Sequence, residues 1–331
     1  MSAMSPWRLS VAPMLDWSDK HGRYLHRLIT KKTRLYTEMV TTGGLLHGGE
    51  RRHLRYDEVE HPLALQLGGS EPADLARCAQ IGARWGYDEI NLNCGCPSER
   101  VQRGAFGACL MAEPQLVADG VKAMVDAVDV PVTVKHRIGI DKEESYAFVR
   151  DFVGTVADAG CRVFIVHARN AWLKGLSPKE NREIPPLRYE RVYQLKRDFP
   201  HLTIVLNGGV TTDEQIAEHL RHVDGVMLGR EAYHHPWMMT AWDARFLGGA
   251  PNPITPDEVE AAMVAYMQRE LVEDGTPWSA IARHMLGLHH GRRGARLWRQ
   301  VWSDHKLKPL PAAEVAALAR AHLESAAMAV P

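Results

Sequence analysis

A cysteine stands on a turn that directly follows a short apolar segment. Residues 89–92 read Glu-Ile-Asn-Leu, which predicts a β-strand, and Cys96 follows between Gly95 and Pro97. Glycine weakens a strand and proline lacks a backbone N–H, so neither further sheet nor an immediate helix is expected at this turn. Parallel α/β folds place their chemistry just beyond the carboxyl ends of their strands. We therefore expect the thiol of Cys96 to lie at a reactive face of the fold.

Further residues, most of them polar or glycine, follow or end the apolar segments that predict strands. They are Pro13, Met14, Gln66, Asn93, Lys135, His167, Asn207, Gly208, Gly209, Gly229 and Arg230. In a parallel barrel these residues converge on one face, where the two glycine turns can bind a phosphate through backbone N–H groups. Lys135 predicts an anionic neighbour, because a buried ammonium without a partner is strongly destabilising. A phosphorylated cofactor, and FMN in particular, fits this pattern.

Eight short β-type segments alternate with helix-type segments before the pattern changes. The predicted strands are residues 10–13, 35–38, 63–66, 89–92, 132–135, 163–167, 203–207 and 225–228. Apolar residues at helical spacing predict helices at residues 71–85, 114–128, 143–159 and 212–221. Eight βα units within about 240 residues favour an α/β fold of the (β/α)8 TIM-barrel type over the alternative, a doubly wound sheet.

The C-terminal part of the chain has helical patterns without strands. Residues 248–253 form a glycine- and proline-rich linker, and Thr255-Pro256 opens a helix with a cap residue and a proline at its first position. Further amphipathic segments are residues 261–274, 278–288 and 312–327. We predict a barrel domain over residues 1–247 and a small helical bundle over residues 252–331.

Composition indicates a globular protein without an export signal or a membrane span. The chain has 331 residues, of which 45% are hydrophobic and 24% charged. It has no run of about eighteen apolar residues, and residues 1–7 lack the basic and apolar regions of a signal peptide. The expected location is the cytoplasm, with no membrane association and no obligate protein partner.

The five cysteines do not suggest a disulfide framework. They are Cys78, Cys94, Cys96, Cys109 and Cys161, an odd number scattered through a long chain, so reduced thiols are expected. Cys94, Cys96 and Cys109 lack a fourth Cys or His at zinc-finger spacing, so no metal site is predicted. We interpret Cys78 and Cys161 as small buried apolar side chains.

The charge distribution allows a local, but not a global, attraction for nucleic acid. The formal net charge is zero with the histidines neutral. Basic clusters at residues 31–34, 51–55 and 292–299 are dense enough to contact phosphates, although each alone is interpreted as a solvated face.

Seven short motifs together resemble those of the FMN-dependent tRNA-dihydrouridine synthases. They occupy residues 11–18, 65–69, 91–98, 134–137, 167–169, 207–209 and 229–230, in the order of the family and across nearly the whole chain. Residues 12–17 (Ala-Pro-Met-Leu-Asp-Trp), 176–182 and 292–296 are similar to the bacterial subgroup A of that family.

The resemblance implies reduction of the C5=C6 bond of a uridine in folded tRNA, at D-loop positions 20 and 20a. Hydride would come from flavin N5 to C6, a proton would go to C5, and NADPH would reduce the flavin again. Cys96 matches the proton donor of the family, and a thiol with an ordinary pKa of about 8.5 is mostly protonated at neutral pH. Cys94, two residues away, is the rival thiol.

The same resemblance assigns binding residues. The implied FMN contacts are Pro13, Met14, Gln66, Lys135, His167, Asn207, Gly208, Gly209, Gly229 and Arg230. Asn93 would bond the uracil or its ribose. Arg293 and Arg296, about one helical turn apart, could grip the RNA backbone from a tRNA-binding C-terminal bundle, and Lys179 and Arg182 share that spacing on the loop after the sixth strand.

Two other functions fit part of the pattern. A small-molecule FMN reductase, of the dihydroorotate or ene-reductase type, would share the phosphate turns and Lys135 but would not need the arginine-rich C-terminal segment. A non-catalytic RNA-binding protein on a barrel scaffold would keep the basic clusters but would have no use for Cys96 together with Lys135.

Overall fold

The computed structural model describes residues 4–328, except for the side chains of residues 100, 103, 326 and 327. Eight parallel strands form its sheet. They are β1 (Leu9–Val11), β2 (Leu35–Thr41), β3 (Leu63–Gly68), β4 (Glu89–Cys94), β5 (Val132–Arg137), β6 (Val163–His167), β7 (Thr203–Asn207) and β8 (Gly225–Leu228). All eight strands lie where the sequence predicts them.

The strands follow one another around a barrel. Their order is β1-β8-β7-β6-β5-β4-β3-β2, and every neighbouring pair is parallel. The gap between β1 and β2 is bridged where Ser10 pairs with Arg34, and the N–H of Val11 donates to the carbonyl of Arg34 at 3.0 Å. The predicted (β/α)8 barrel is confirmed, and the doubly wound alternative is wrong.

Helices alternate with the strands and then continue alone. They are α1 (Lys20–Ile29), α2 (Thr42–Gly48), α3 (Glu50–Leu54), α4 (Pro72–Arg84), α5 (Glu99–Arg103), α6 (Pro114–Ala127), α7 (Tyr146–Asp158), α8 (Tyr189–Asp198), α9 (Asp213–His219), α10 (Arg230–His234), α11 (Trp242–Phe246), α12 (Pro256–Asp274), α13 (Trp278–Ala282), α14 (Ala295–Ser303) and α15 (Ala312–Met328). Short 3-10 turns occupy Glu58–Glu60, Gly107–Ala112, Glu180–Arg182, Pro236–Ala241, Met285–Gly287 and His305–Leu307. Within residues 4–328, no helix is long and apolar enough to cross a membrane.

Helix ends follow local sequence signals. Pro72 and Pro114 stand in the first turns of α4 and α6, where a missing N–H costs no hydrogen bond. Thr212 forms a capping box with Gln215 at the start of α9. The four predicted barrel helices are therefore present, each slightly shorter than its amphipathic pattern.

Four strands, β2 to β5, extend beyond their predicted C-terminal ends. β4 continues to Cys94 and β5 to Arg137, and their register pairs Asn93 with Lys135 and Cys94 with His136. Gln66 likewise lies inside β3, not at its end. The reason is that the polar side chains inside the barrel find hydrogen-bond partners there, so polarity does not end the strand.

Backbone contacts divide the described residues into two units. One consists of residues 4–20 and 32–229 and contains all eight strands. The other consists of residues 21–31 and 230–328 and contains α12 to α15. The helical C-terminal region is confirmed, while its assignment to tRNA and that of the barrel to FMN remain predictions.

A buried carboxylate fills one end of the barrel interior. Glu89, at the start of β4, is fully buried and accepts hydrogen bonds from Trp7 Nε1 at 2.7 Å, the Tyr36 hydroxyl at 2.9 Å and the Thr133 hydroxyl at 2.5 Å. Arg34 lies 3.1 Å away and supplies the opposite charge. Because a buried carboxylate needs such partners, this network stabilises the barrel end opposite Cys96.

Candidate active site

Cys96 lies on the turn after β4 and is held there by the side chain of Asn93. Oδ1 of Asn93 accepts the backbone N–H groups of Gly95 and Cys96, both at 3.0 Å. The thiol is half-buried and lies 3.5 Å from the Ser98 hydroxyl. A short turn capped by an asparagine side chain fixes the backbone, so the direction of the thiol is set by β4.

The glycine-rich segment after Cys96 packs directly on this turn. The carbonyl of Cys96 accepts the N–H of Ala108 at 2.9 Å. At Gly107, whose φ is 79°, an added Cβ would lie 2.6 Å from that carbonyl oxygen. Only glycine permits this close approach, which explains why a glycine stands here.

A chain of side-chain hydrogen bonds crosses the barrel interior to Asn93. Asn93 Nδ2 donates to Gln66 Oε1 at 2.9 Å, and Gln66 Nε2 donates to Asn91 Oδ1 at 2.7 Å. Asn91 Nδ2 donates to the Thr133 hydroxyl at 2.7 Å, and that hydroxyl donates to Glu89. Gln66 is therefore committed to two amide partners, and its predicted contact with FMN stays a prediction.

The two thiols of the turn have different surroundings. Cys94 is fully buried, and burial raises its pKa far above the ordinary thiol value. Cys96 keeps part of its surface accessible. The buried Cys94 side chain can neither reach a ligand outside the barrel nor exchange protons readily, so the geometry favours Cys96 over its rival. All five cysteines are free thiols, and Cys78 and Cys161 are buried, as predicted.

Lys135 and His167 carry strongly lowered pKa values. Burial, followed by the charge of Arg137, lowers the pKa of Lys135 to about 7, while nearby Cys96 acts in the opposite direction. Burial and then the charges of Arg137 and Lys135 hold the pKa of His167 well below 6.5. His167 is therefore neutral near pH 7 and offers one donor and one acceptor. Among the described residues, the Lys135 ammonium has no hydrogen-bond or ion-pair partner.

Arg137 ties the thiol turn to the loop after β6. Its Nε donates to the carbonyl of Gly95 at 3.1 Å, and its Nη1 donates to the carbonyls of Asn181 at 2.9 Å and Asn170 at 3.3 Å. Burial lowers its pKa to about 9, so it stays charged at neutral pH. Sequence analysis placed Arg137 in a motif but gave it no role.

Gln102 makes a second tie between the same two segments. Its Nε2 donates to the carbonyl of Pro97 at 2.7 Å and to the carbonyl of Leu173 at 2.8 Å. Both acceptors are backbone carbonyls, one after β4 and the other after β6. Residue types do not indicate hydrogen bonds to backbone atoms of distant segments. The sequence alone therefore does not predict a role for Gln102.

The turn after β7 requires glycine. Gly208 and Gly209 have φ values of 116° and 71°, and an added Cβ would lie 2.6 Å from His167 Cδ2 at the first and 2.4 Å from Leu187 Cδ1 at the second. Asn207 is buried, and its Nδ2 donates to the carbonyl of Met227 at 2.8 Å. The structure thus brings His167 and this turn together, as the motifs predict.

The remaining predicted cofactor residues fall in two places. Pro13 and Met14 follow β1 and are half-buried, and Met14 packs against the apolar side chains inside the barrel. An added Cβ at Gly229 would lie 3.6 Å from the sulfur of Met14, so these two residues are neighbours. Arg230 begins α10 and belongs to the second unit.

Lys179 and Arg182 are exposed on the loop after β6 and lie one 3-10 turn apart, as their spacing predicts. The loop is pinned by the buried Asn181, whose amide exchanges hydrogen bonds with the backbone of Trp172 at 2.7 and 2.9 Å. The charge of Arg182 lowers the pKa values of Lys135 and His167, which places it near that cationic cluster.

The predicted helical spacing of Arg293 and Arg296 is wrong. Helix α14 begins at Ala295, after Gly294, whose φ is 81°. Arg293 therefore precedes the helix, because the left-handed glycine turns the chain between the two arginines. Both side chains are exposed.

Comparison with known proteins identifies the family. The family model described as "Dihydrouridine synthase (Dus)" matches residues 10–323. The chain belongs to the dihydrouridine synthase family, as its motifs predict.

Curated relatives cover nearly the full chain. A Salmonella typhimurium LT2 protein named "tRNA-dihydrouridine(20/20a) synthase" is 58% identical over 321 residues, which are 97% of this chain and 96% of that protein. A protein of the same name from Escherichia coli K12 is 59% identical over 91% of this chain and 87% of its own length. Another from Vibrio parahaemolyticus is 58% identical over 93% of this chain and 94% of its own length.

A solved structure shares the fold. The chain of a 2-naphthoyl-CoA reductase complex with 2-naphthoyl-CoA superimposes with a TM-score of 0.54 at 9% identity, covering 71% of this chain and 49% of that one. At this identity the likeness shows the fold alone.

Proposed function

We propose that this chain reduces the C5=C6 bond of uridine to 5,6-dihydrouridine in the D-loop of tRNA, at positions 20 and 20a. The names of the relatives support the reaction and the positions. The structural observation that carries the proposal is the accessible thiol of Cys96 on a rigid turn, close enough to Lys135 for their charges to interact. We propose the cytoplasm as the location, since the substrate is tRNA.

Cys96 is the proposed proton donor. Its thiol would lose a proton to C5 of the uracil and regain a proton from solvent through its accessible side. The turn holds its backbone through Asn93, so the thiol does not have to be ordered when RNA binds. Asn93 keeps one amide N–H beyond the bond to Gln66, and this N–H is the proposed contact to the uracil or its ribose.

The residues at the barrel mouth fit FMN. The Lys135 ammonium lacks a protein partner among the described residues, and a neutral His167 beside it can donate one hydrogen bond. Asn207, Gly208, Gly209, Gly229 and Arg230 are the proposed phosphate-side contacts, with Pro13, Met14 and Gln66 on the ring side. FMN, reduced by NADPH, supplies the hydride that adds to C6.

tRNA contacts are proposed for exposed cations. Lys179 and Arg182 stand on the loop that Arg137 and Gln102 tie to the thiol turn, so RNA phosphates bound there would be held in register with Cys96. Arg293 and Arg296 provide further phosphate contacts from the helical C-terminal region. Extruding the target uridine costs a few kcal/mol, which these contacts must offset.

The proposal is tested with purified protein, NADPH and an unmodified tRNA transcript. We expect a flavin absorption spectrum, NADPH oxidation that depends on tRNA, and a nucleoside digest that contains dihydrouridine. A flavoprotein that oxidises NADPH but forms no dihydrouridine would favour the small-molecule reductase instead. A colourless protein that binds tRNA would favour the non-catalytic alternative.

A further inference from the structure

Three ligand-type side chains of the second unit converge outside the active site. Asp257 and Glu260 lie on α12, three residues apart, and His289 lies in the segment before α14. Each of these three side chains offers one ligand atom, and the three atoms all lie within 4.8 Å of one another. These are one imidazole nitrogen and two carboxylate oxygens, a donor set that suits divalent transition metal ions.

The distances from His289 Nε2 to the two carboxylate oxygens are closer to those between two ligands of one metal ion than to a hydrogen-bond length. His289 Nε2 lies 3.6 Å from Glu260 Oε2 and 3.9 Å from Asp257 Oδ1. A hydrogen bond between such atoms is about 2.7–3.2 Å long. Two ligands of a tetrahedral zinc ion with bonds of about 2.1 Å lie about 3.4 Å apart, so only a small adjustment is required.

Two of the three atoms are buried and unpartnered. The side chains of Glu260 and His289 are both fully buried. Among the described residues, neither Glu260 Oε2 nor His289 Nε2 has a hydrogen-bond partner. Buried polar atoms in proteins are nearly always satisfied, so two that face each other at this distance indicate a ligand that both can bind.

Two tryptophans fix the orientation of the buried carboxylate. Trp298 Nε1 and Trp302 Nε1 donate to Glu260 Oε1 at 2.9 and 3.0 Å. This leaves Oε2 as the oxygen that faces His289. The Trp298 ring also packs edge-on against the His289 ring, with centroids 4.7 Å apart. Such surrounding contacts hold ligands in place in metal sites.

Arg292 would compete with a metal ion for Asp257 and His289. Its Nη1 donates to Asp257 Oδ1 at 2.7 Å and lies 3.3 Å from His289 Nδ1. An arginine only donates, so this second contact requires a lone pair on Nδ1 and places the imidazole proton on Nε2. Metal binding at Nε2 therefore requires that Arg292 move away and that the proton shift to Nδ1. The Arg292 side chain is 44% exposed, so it can move into solvent.

We propose that Asp257, Glu260 and His289 form a site for one divalent transition metal ion of the zinc class, with water completing the coordination. The ion replaces Arg292 as the positive charge beside Asp257 and fastens α12 to the segment before α14. The sequence predicted no metal site because of the spacing of Cys94, Cys96 and Cys109. The proposed site contains no cysteine, so that spacing does not bear on it.

The test is a titration of the full-length protein with Zn²⁺ and with Co²⁺ after chelator treatment and dialysis. We expect one equivalent to bind, seen by calorimetry and by the visible absorption of Co²⁺, together with a change in tryptophan emission. The variants Glu260→Gln and His289→Ala should lose more than about tenfold in affinity. His290→Ala, at the adjacent histidine, is the matched control and should bind normally.

Arg292→Ala provides a test that a folding defect cannot imitate. Removal of the competing guanidinium should increase affinity severalfold, whereas a poorly folded variant would lose it. The proposal is overturned if neither ion binds saturably, if His289→Ala binds as tightly as the parent, or if Arg292→Ala binds no more tightly.

Discussion

The side chain of Asn93 accepts the backbone N–H of Cys96 at 3.0 Å and so joins the thiol turn to strand β4. Through Gln66, Asn91 and Thr133 the same asparagine is connected to the buried Glu89. The backbone position of the proposed proton donor is therefore set by hydrogen bonds that continue into the barrel interior.

Replacing Asn93 should impair catalysis by loosening this turn. Asn93→Ala leaves the N–H groups of Gly95 and Cys96 without their acceptor, so we expect kcat to fall about 10- to 100-fold while flavin content is retained. Asn93→Asp preserves an acceptor and should recover part of kcat. Steady-state kinetics on tRNA measure both effects. A rise in KM with an unchanged kcat would mean that Asn93 contacts RNA but does not position Cys96.

Cys96→Ala should abolish most turnover without removing the cofactor. General acid catalysis contributes about 10²- to 10⁴-fold, so single-turnover reduction of uridine should slow by that factor. Cys94→Ala is the matched control: it deletes a buried thiol of the same turn, and the rate should stay within about threefold of the parent. The assignment fails if the Cys94 variant is inactive and the Cys96 variant is not.

FMN binding to the apoprotein should weaken as the pH rises above about 7. The lowered pKa of Lys135 means that this ammonium loses its proton near pH 7 in the apoprotein. An anionic ligand favours the protonated form, so binding takes up a proton and the Kd increases by up to about tenfold per pH unit between pH 7 and 9. The flavin phosphate, with a second pKa of about 6, is already dianionic in this range.

Lys135→Met is the control for that titration. It removes the titrating group, so FMN should bind more weakly at pH 7 and its Kd should be nearly independent of pH. Fluorescence titration of flavin at each pH measures both variants. A parent Kd that stays flat from pH 7 to 9 would show that Lys135 does not face the cofactor.

Gln102→Ala should uncouple the thiol turn from the loop that carries Lys179 and Arg182. The variant loses two hydrogen bonds to backbone carbonyls, each worth about 0.5–1.5 kcal/mol. We expect a several-fold loss in kcat/KM on tRNA with FMN affinity unchanged. Gln115→Ala is a matched control, because the Gln115 side chain donates to Asp119 on an exposed helix face. Equal kinetics for the two variants would contradict the coupling.

tRNA affinity should depend steeply on salt, and each proposed cation should account for part of that dependence. Removal of one phosphate contact lowers the slope of log K against log salt by about 0.7–0.9. Arg182→Ala and Arg296→Ala should each reduce it by that amount, as measured by binding at several salt concentrations. Unchanged slopes in both variants would exclude these side chains from the phosphate contacts.

Much of the barrel could be predicted because its strands contain short apolar segments and its helices have start signals such as Thr212 and Pro114. The turn at Gly208 and Gly209 could be predicted because both have positive φ values, which few other residue types adopt. These features depend on residues that are close together in the chain, and such local patterns can be recognised in a single sequence.

Other features depend on contacts between distant segments and could not be predicted. Arg137 and Gln102 donate to backbone carbonyls. Every residue has a backbone carbonyl, so the sequence does not show which one is bound. Arg293 was placed one helical turn from Arg296 because spacing alone does not show that Gly294 adopts a left-handed conformation. The clustering of Glu260 with His289 arises from tertiary packing across about thirty residues of sequence.

The central claim is that this chain reduces particular uridines in the D-loop of tRNA. The most direct measurement maps dihydrouridine by mass spectrometry of fragments from a tRNA transcript treated with the protein and NADPH. The proposal predicts product at positions 20 and 20a, and none when cytidines replace those two uridines. Dihydrouridine at other positions in the cytidine-substituted transcript, or none in either transcript, would contradict it.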